Sequence, residues 1–443
     1  MAKALETLPL HEAVPGQPSP DDRFSAEDAA FAADPIGYHL DAYRRHGPIY
    51  RTQFRNQEWV TIAGLEANDL CWTNADVWSY QKAMTGFGEE LGFVHVTTLD
   101  GVPHRRKRRA LSTGFRASAV FRHLPAMAAA IAERFEMFAG QDIDIYDFCR
   151  QAVIYASSRT MVETPLSEEL LRHMADFEEK FMRGTNLGEF RHEYFAQDHY
   201  LQNKRAMFDY LAEVVSGRLT ADSEPGDDNL DRVLQYRSDD DGYSMDERLY
   251  DSYLLLVAGA ENTTKLITWI MQYLSRAPEW EDQLRDELEG WTPEAFLTGL
   301  GDFPKLQATI MEGERLKPGA LFHARVTATG LDVLGYALPA DTWVLQMQAL
   351  PHFFEEIYEE PFEFRPQRWL ENNYPKKAHG TFGGGTHVCL GKSVTRVHAP
   401  VVLANLIKDH RMELQFTPDF HYRLDLGGAG HREPMPARFT PRS

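Results

Sequence analysis

Three cysteines in 443 residues are too few to organise a fold, and they stand far apart. Cys71, Cys149 and Cys389 provide neither an even disulfide set nor a CxxC metal pair. Long hydrophobic runs are also missing. The longest, Tyr253 to Ala260, has about eight residues against the roughly 20 that a bilayer-spanning helix needs. The opening MAKALETLPLHEAV has no secretory apolar stretch, and Glu6 interrupts what little there is. Positive charge is in deficit as well. Forty-six Lys and Arg against sixty-six Asp and Glu leave a net charge of −20, which argues against a general nucleic-acid or anionic-membrane binder. The chain reads as cytoplasmic, with no membrane anchor and no nucleic-acid partner.

Helical periodicity dominates what is present. From Pro103 to Leu274 apolar residues recur at spacings of three and four. Strand-like runs are short: Ile49–Phe54, Trp59–Ile62, Phe322–Ala328 and Tyr336–Leu338. The expected class is mainly α with small β-sheets (α+β). Residues 1–30 read as an irregular arm, Ser223–Asp231 as a charged loop, and Glu355–His379 as an irregular stretch rich in Pro and Glu. No linker separates domains, so 31–443 is taken as one. Ser244 with Glu247 forms a capping box, and Pro278 closes the pattern. One helix between them would run about 48 Å and cross the molecule. Gly259 in its apolar middle marks either close helix packing or a groove where something approaches the backbone.

The chemistry concentrates in Phe382-Gly383-Gly384-Gly385-Thr386-His387-Val388-Cys389-Leu390-Gly391-Lys392-Ser393. A cysteine just before a helix sits at the positive end of its dipole, which favours the thiolate. Glycines on either side let backbone N–H groups turn towards the sulfur. Taken alone, such a cysteine is also compatible with a small buried apolar residue. A phosphate loop ending in Gly391-Lys392-Ser393 fails on spacing, because Thr386 occupies the place of its first glycine.

Phe382, Gly385, Cys389 and Gly391 resemble the FxxGxxxCxG haem signature of the cytochrome P-450 superfamily, soluble bacterial type. Other stretches agree in order. Glu312-Gly313-Glu314-Arg315 resembles ExxR, and Phe364 to Trp369 resembles FxPxRW, whose Arg368 completes the ion set. His104 and Arg108 look like HxxxR, Arg325 like the propionate-pairing arginine of the following strand, and His387 stands where the family has a basic residue. Ala258-Gly259-Ala260-Glu261 looks like the start of the oxygen groove AGxET. The resemblance implies a single-domain fold holding haem b between the long central helix and the cysteine-loop helix, with Cys389 as the thiolate ligand of the iron. It implies His104, Arg108, Arg325, Phe382, Gly385, His387 and Gly391 as cofactor-binding residues.

One departure bears on the chemistry. Asn262 stands where the family has threonine, with Thr263 and Thr264 following. In the resembling enzymes acid and alcohol order water for proton delivery, and an amide orders water without relaying its own proton. Thr263 takes the role through a local helix widening, or Glu261 and Asn262 support an altered water network, or the reaction depends on a substrate hydroxyl or on peroxide. Gly259, Glu261, Asn262 and Thr263 are the catalytic candidates.

By family position an apolar substrate pocket is expected from Phe87, Phe93, Leu255, Ala258, Leu321 and Phe322. That suits a terpenoid, steroid-like, fatty or polyketide-derived substrate of secondary metabolism. Arg105, Arg106 and Arg109 are expected to face outwards on the cysteine side, joined by Lys392 and Arg396, as a docking patch for a ferredoxin or flavodoxin. The implied activity is a haem-thiolate monooxygenase that uses O2 and electrons from a separate partner. The alternatives are peroxide-driven, coupling or rearrangement chemistry in the same family, and a non-enzymatic haem protein.

Overall fold

The computed structural model describes residues 2–11, 26–54, 57–220, 228–235, 244–298, 302–418, 420, 423–425, 428–431 and 434–442. Helices build its body. Those that matter for the site are α1 (Leu65–Thr73), α2 (Gly101–Phe115), α3 (Ile145–Thr160), α4 (Glu168–Gly184), α5 (Met245–Leu256), α6 (Ala260–Leu274), α7 (Pro304–Leu316) and α8 (Lys392–Ala404). Strands β1 (Lys3–Ala4), β2 (Ile49–Phe54), β3 (Gln57–Ala63), β4 (Trp78–Ser79), β5 (His323–Thr327), β6 (Leu331–Val333), β7 (Tyr336–Leu338) and β8 (Trp343–Met347) make two sheets, ordered β2-β3-β8-β5-β4 and β1-β7-β6. The β-branched and aromatic runs seen in the sequence are these strands. Within the larger sheet only β3 and β8 run parallel. No described helix is long and apolar enough to cross a membrane.

The amino-terminal arm departs from the irregular reading. Lys3 and Ala4 pair in parallel with Tyr336 and Ala337, and Leu8 and His11 are buried. Arg51 N donates to Pro9 O at 2.8 Å and His11 N to Arg51 O at 2.9 Å. Each sheet offered an open edge, and the arm covers one edge of both. Residues 12–25 lie outside the described part. So do 223–227 of the expected charged loop, while its remaining residues begin a helix: Asp228 caps Asn229–Leu234 by accepting from Asp231 N at 2.7 Å.

The long central helix is two helices. Its start is the capping box: Ser244 Oγ accepts from Glu247 N at 3.2 Å, and Glu247 accepts from Ser244 N at 2.9 Å. The interruption falls at Val257–Gly259. The Tyr253 carbonyl accepts from both Val257 N (2.9 Å) and Ala258 N (3.3 Å), and Ala260 N returns to Val257 O at 2.8 Å. A widened turn is thus followed by a tightened one. Such bulges interrupt the regular ladder at functional positions. Period-3.6 patterning continues through the break, which is why the sequence reads as one helix.

Candidate active site

The cysteine loop is built by its glycines. Gly383 (φ 66°) and Gly385 (φ 68°) adopt left-handed backbone that side chains disfavour. Cys389 N donates to Phe382 O at 2.9 Å and closes the loop directly before α8. The Cys389 side chain is exposed, whereas Cys71 and Cys149 are buried. Although the residue is open to solvent, the protein around it thins the water at the sulfur and raises the thiol pKa, and the backbone N–H of Gly391, the Arg108 guanidinium, and the N–H and ammonium of Lys392 work against that rise. An iron bound to the sulfur would deprotonate it outright.

Across from α8, the residues around the helix break open onto space. Gly259 and Asn262 are exposed on an otherwise buried segment. A Cβ added at Gly259 meets no atom within 4 Å, so the close-packing explanation of this glycine does not hold. The Asn262 amide lies against Gly319, with Oδ1 3.2 Å from an added Cβ there. Thr263 is buried, and its Oγ1 stands 3.4 Å from Thr395 Oγ1 of α8. Widening does occur in this helix, but it does not expose Thr263.

Glu261 is buried within an ion cluster that sequence reasoning missed. Arg150 Nε from α3 stands 3.1 Å from Oε2, Lys265 Nζ 3.6 Å from Oε1, and the Tyr146 hydroxyl donates to Oε1. Burial works against the charge on Arg150, yet Glu261, Tyr146, Glu179 and Asp147 outweigh it and raise its pKa. Lys265 was legible as an i,i+4 partner. Arg150, 111 positions away, carried no local signal.

A cationic cradle gathers four of the expected cofactor residues. His387 stacks between Tyr80 (3.4 Å between centroids) and His104 (3.8 Å), both at 13°. Arg325 is buried, donates from Nη1 to the Tyr80 hydroxyl, and sends Nε and Nη2 to Gln346 Oε1 at 2.9 and 2.7 Å. Arg108 Nη2 donates to Val388 O. Burial first, then neighbouring cations, lowers His104 to about 4 and His387 to about 2. Among the described residues no carboxylate pairs with Arg108 or Arg325, and His104 Nε2 has no hydrogen-bond partner. A buried guanidinium and a half-buried one, neither with a carboxylate beside it, fit a group that brings carboxylates of its own, as haem does with two.

Glu312, Arg315 and Arg368 come together as expected. Arg315 grips Glu312 through Nε (2.9 Å) and Nη2 (2.8 Å), and Arg368 Nε adds a third contact at 3.1 Å. Trp369 Nε1 (2.8 Å) and Arg365 N (2.9 Å), neither anticipated, complete the shell of the carboxylate.

Several expected positions differ. Arg105 and Arg109 are exposed and, with His104, Arg108, Gly385 and Thr386, line a basic depression of about 380 Å³. Arg106 instead leans towards Glu247 at 3.7 Å, because helical spacing turns it about 100° from Arg105, towards the side of the buried Lys107. Arg396 is paired with the buried Glu314 at 2.9 Å. Leu255 is core, its side chain by Gly114 of α2, and Leu321 is 1% exposed. Phe322 packs on Phe31 and Phe54, and Phe87 is buried against Phe181 at 4.8 Å. Phe93 is 42% exposed, and Ala258 is half-buried beside the opening at Gly259.

The ion set yields a stability prediction. Glu312→Ala leaves two guanidinium groups buried without their carboxylate, at a cost of roughly 3–5 kcal/mol. Chemical denaturation of the purified protein should show that loss, together with low haem content. Unchanged stability and full haem content would remove the set from its structural role.

The Cytochrome P450 family profile matches residues 33–426. Pentalenene oxygenase of Streptomyces avermitilis is 28% identical over 363 residues, covering 77% of this chain and 78% of the relative. A sterol 14alpha-demethylase of Mycolicibacterium vanbaalenii is 22% identical over 412 residues, with 88% and 89% covered. Among solved structures, retinoic acid bound cyanobacterial CYP120A1 superposes with a TM-score of 0.81 at 19% identity, each chain covered in full. Such enzymes hold haem through a cysteine thiolate, the donor set and cradle this chain presents. The chain belongs to the cytochrome P450 family and is a haem-thiolate monooxygenase.

Proposed function

We propose that this enzyme inserts one oxygen atom from O2 into an apolar small molecule, using electrons delivered by a separate acidic redox protein. Cys389 would hold the iron, and His104, Arg108, Arg325 and His387 would hold the propionates. When bound, the haem supplies oxygen activation, with the thiolate favouring O–O cleavage.

The observation that carries the use of O2 is the cluster around Glu261. Arg150 joins this buried carboxylate to Glu179 (3.4 Å, 31% exposed) and Asp147 (3.7 Å, 51% exposed). Charged groups therefore run from solvent to Glu261, the residue next to the exposed Asn262. Reduction of O2 consumes protons, which the Glu261 carboxylate would pass on through water while Arg150, always charged, holds it in place; peroxide brings its own. Asn262, exposed beside Glu261, would order the last water through its amide. Thr263 is engaged with Thr395 instead, which supports the water-network reading over a displaced hydroxyl. Ala258, beside the opening, would form part of an apolar wall. The pentalenene and sterol named for the relatives support a terpenoid or steroid-like substrate.

Asn262→Ala should divert reducing equivalents to peroxide while substrate affinity stays near its original value, and Thr263→Ala should leave coupling intact. The ratio of product formed to NAD(P)H consumed reads both. The reverse pattern would transfer the role to Thr263. If added hydrogen peroxide supports turnover as well as a reductase system does, the peroxide-driven reading replaces this one.

Arg105 and Arg109 line the exposed basic depression beside the cysteine loop and would receive the partner. Neutralising both to Gln should slow electron delivery, and rising salt should do the same to the native enzyme, since exposed charges are screened over about 8–10 Å. Arg106→Gln should not slow it. Stopped-flow reduction at low salt that is indifferent to Arg105 and Arg109 would place docking elsewhere.

A further inference from the structure

Helix α1 meets both the cysteine loop and the cationic cradle. Asn68 and Trp72 stand four residues apart on it, and so share a face. Asn68 is fully buried. Its Nδ2 donates to the carbonyls of Gln348 (3.0 Å) and Lys377 (3.3 Å), and its Oδ1 accepts from Gln346 Nε2 (2.8 Å). Those two carbonyls fix which way the Asn68 amide points. That in turn fixes Gln346, leaving its Oε1 free to accept both N–H groups of Arg325. A single buried amide thus sets the orientation of an arginine two side chains away.

Trp72 works on the loop. A Cβ added at Gly384 would lie 2.5 Å from the indole Cγ and Cδ2, and one at Gly380 3.1 Å from Cη2 and Cζ2. At Gly385 it would lie 2.2 Å from the Trp72 carbonyl oxygen. Three glycines ahead of Cys389 therefore close on one residue. Part of the loop's glycine content is the imprint of Trp72, in addition to what the turn itself requires. Trp72 Nε1 is buried without a hydrogen-bond partner among the described residues, an arrangement that costs free energy. The indole stands there for its shape.

We propose that Trp72 and Asn68 are positioning residues for the haem: Trp72 sets the path of the loop that presents Cys389, and Asn68 orients Arg325 through Gln346. The inference rests on the haem-thiolate reading of Cys389, and it separates two effects. Disturbing Trp72 should affect the iron–sulfur bond. Disturbing Asn68 should affect the grip on the propionates and spare that bond.

The test uses the holoenzyme and two readouts, the reduced carbon monoxide spectrum and the rate of haem transfer to excess apomyoglobin. The native protein should give the red-shifted thiolate band; its absence defeats the haem-thiolate reading and this inference with it. Trp72→Ala should shift most of that band to the blue, and Trp72→Phe should recover much of it. Asn68→Leu should keep the band but release haem roughly tenfold faster, the scale of outer-shell effects on bound metals. Gly384→Ala, which drives a methyl group into the indole, should reproduce the blue shift and decides the matter if Trp72→Ala does not fold. A native-like band in both Trp72→Ala and Gly384→Ala, or in Gly384→Ala when Trp72→Ala is not obtained, would overturn the role of Trp72. Native haem release in Asn68→Leu would overturn that of Asn68.

Discussion

A carboxylate withdrawn completely from water is tolerable only when its environment replaces every lost hydrogen bond. At Glu312 five donors do so, from Arg315, Arg365, Arg368 and Trp369. The consequence reaches well beyond local stability. Arg315 also donates to the carbonyls of His352 (2.9 Å), Pro361 and Glu363, which ties α7 to the irregular stretch that follows the sheet. His352 continues the chain. Its Nδ1 lies 3.0 Å from Arg315 O, and its Nε2 accepts from Gly380 N at 3.0 Å. Burial lowers this imidazole to about 3, so it stays neutral with one nitrogen donating and one accepting. The buried ion set thereby fixes the start of the loop that ends at Cys389.

The two sides of the site are held by different means. On the cysteine side the backbone is immobilised by glycine turns, a neutral histidine and the indole of Trp72. On the groove side the backbone is interrupted, and the interruption is itself held. The Tyr253 carbonyl receives two N–H groups, and Thr263 meets Thr395 across the gap between α6 and α8. Gly259 and Asn262 are consequently presented to open space on a helix that is otherwise core. Rigid surroundings with a locally opened helix suit a reaction in which water must be admitted in small number and in fixed place.

Much of this was legible in the sequence because it is encoded locally. ExxR is a one-turn spacing, the cysteine loop a contiguous string, the capping box four residues long, and each appears in the structure as read. What escaped was encoded by distance in space. Arg150 joins Glu261 across 111 positions, and Asn68 reaches Gln346 across 278. The helix break was hidden because apolar periodicity persists through a widened turn. Arg106 was misassigned because a run of like charges does not reveal which members a helix turns inward. The outward group differs from it by rotation about the helix axis alone, about 100° to Arg105 and about 60° to Arg109. Phe322 and Leu255 were misplaced for a related reason: apolar side chains serve a core and a substrate wall equally well.

The central claim is that Cys389 carries the iron on a loop shaped for it. The most direct measurement is the reduced carbon monoxide difference spectrum of Cys389→Ala beside Cys71→Ala and Cys149→Ala, each purified with its haem content determined. The account predicts the red-shifted band in the latter two and its loss in Cys389→Ala. Persistence of the band without Cys389, or its disappearance with either buried cysteine alone, would contradict it.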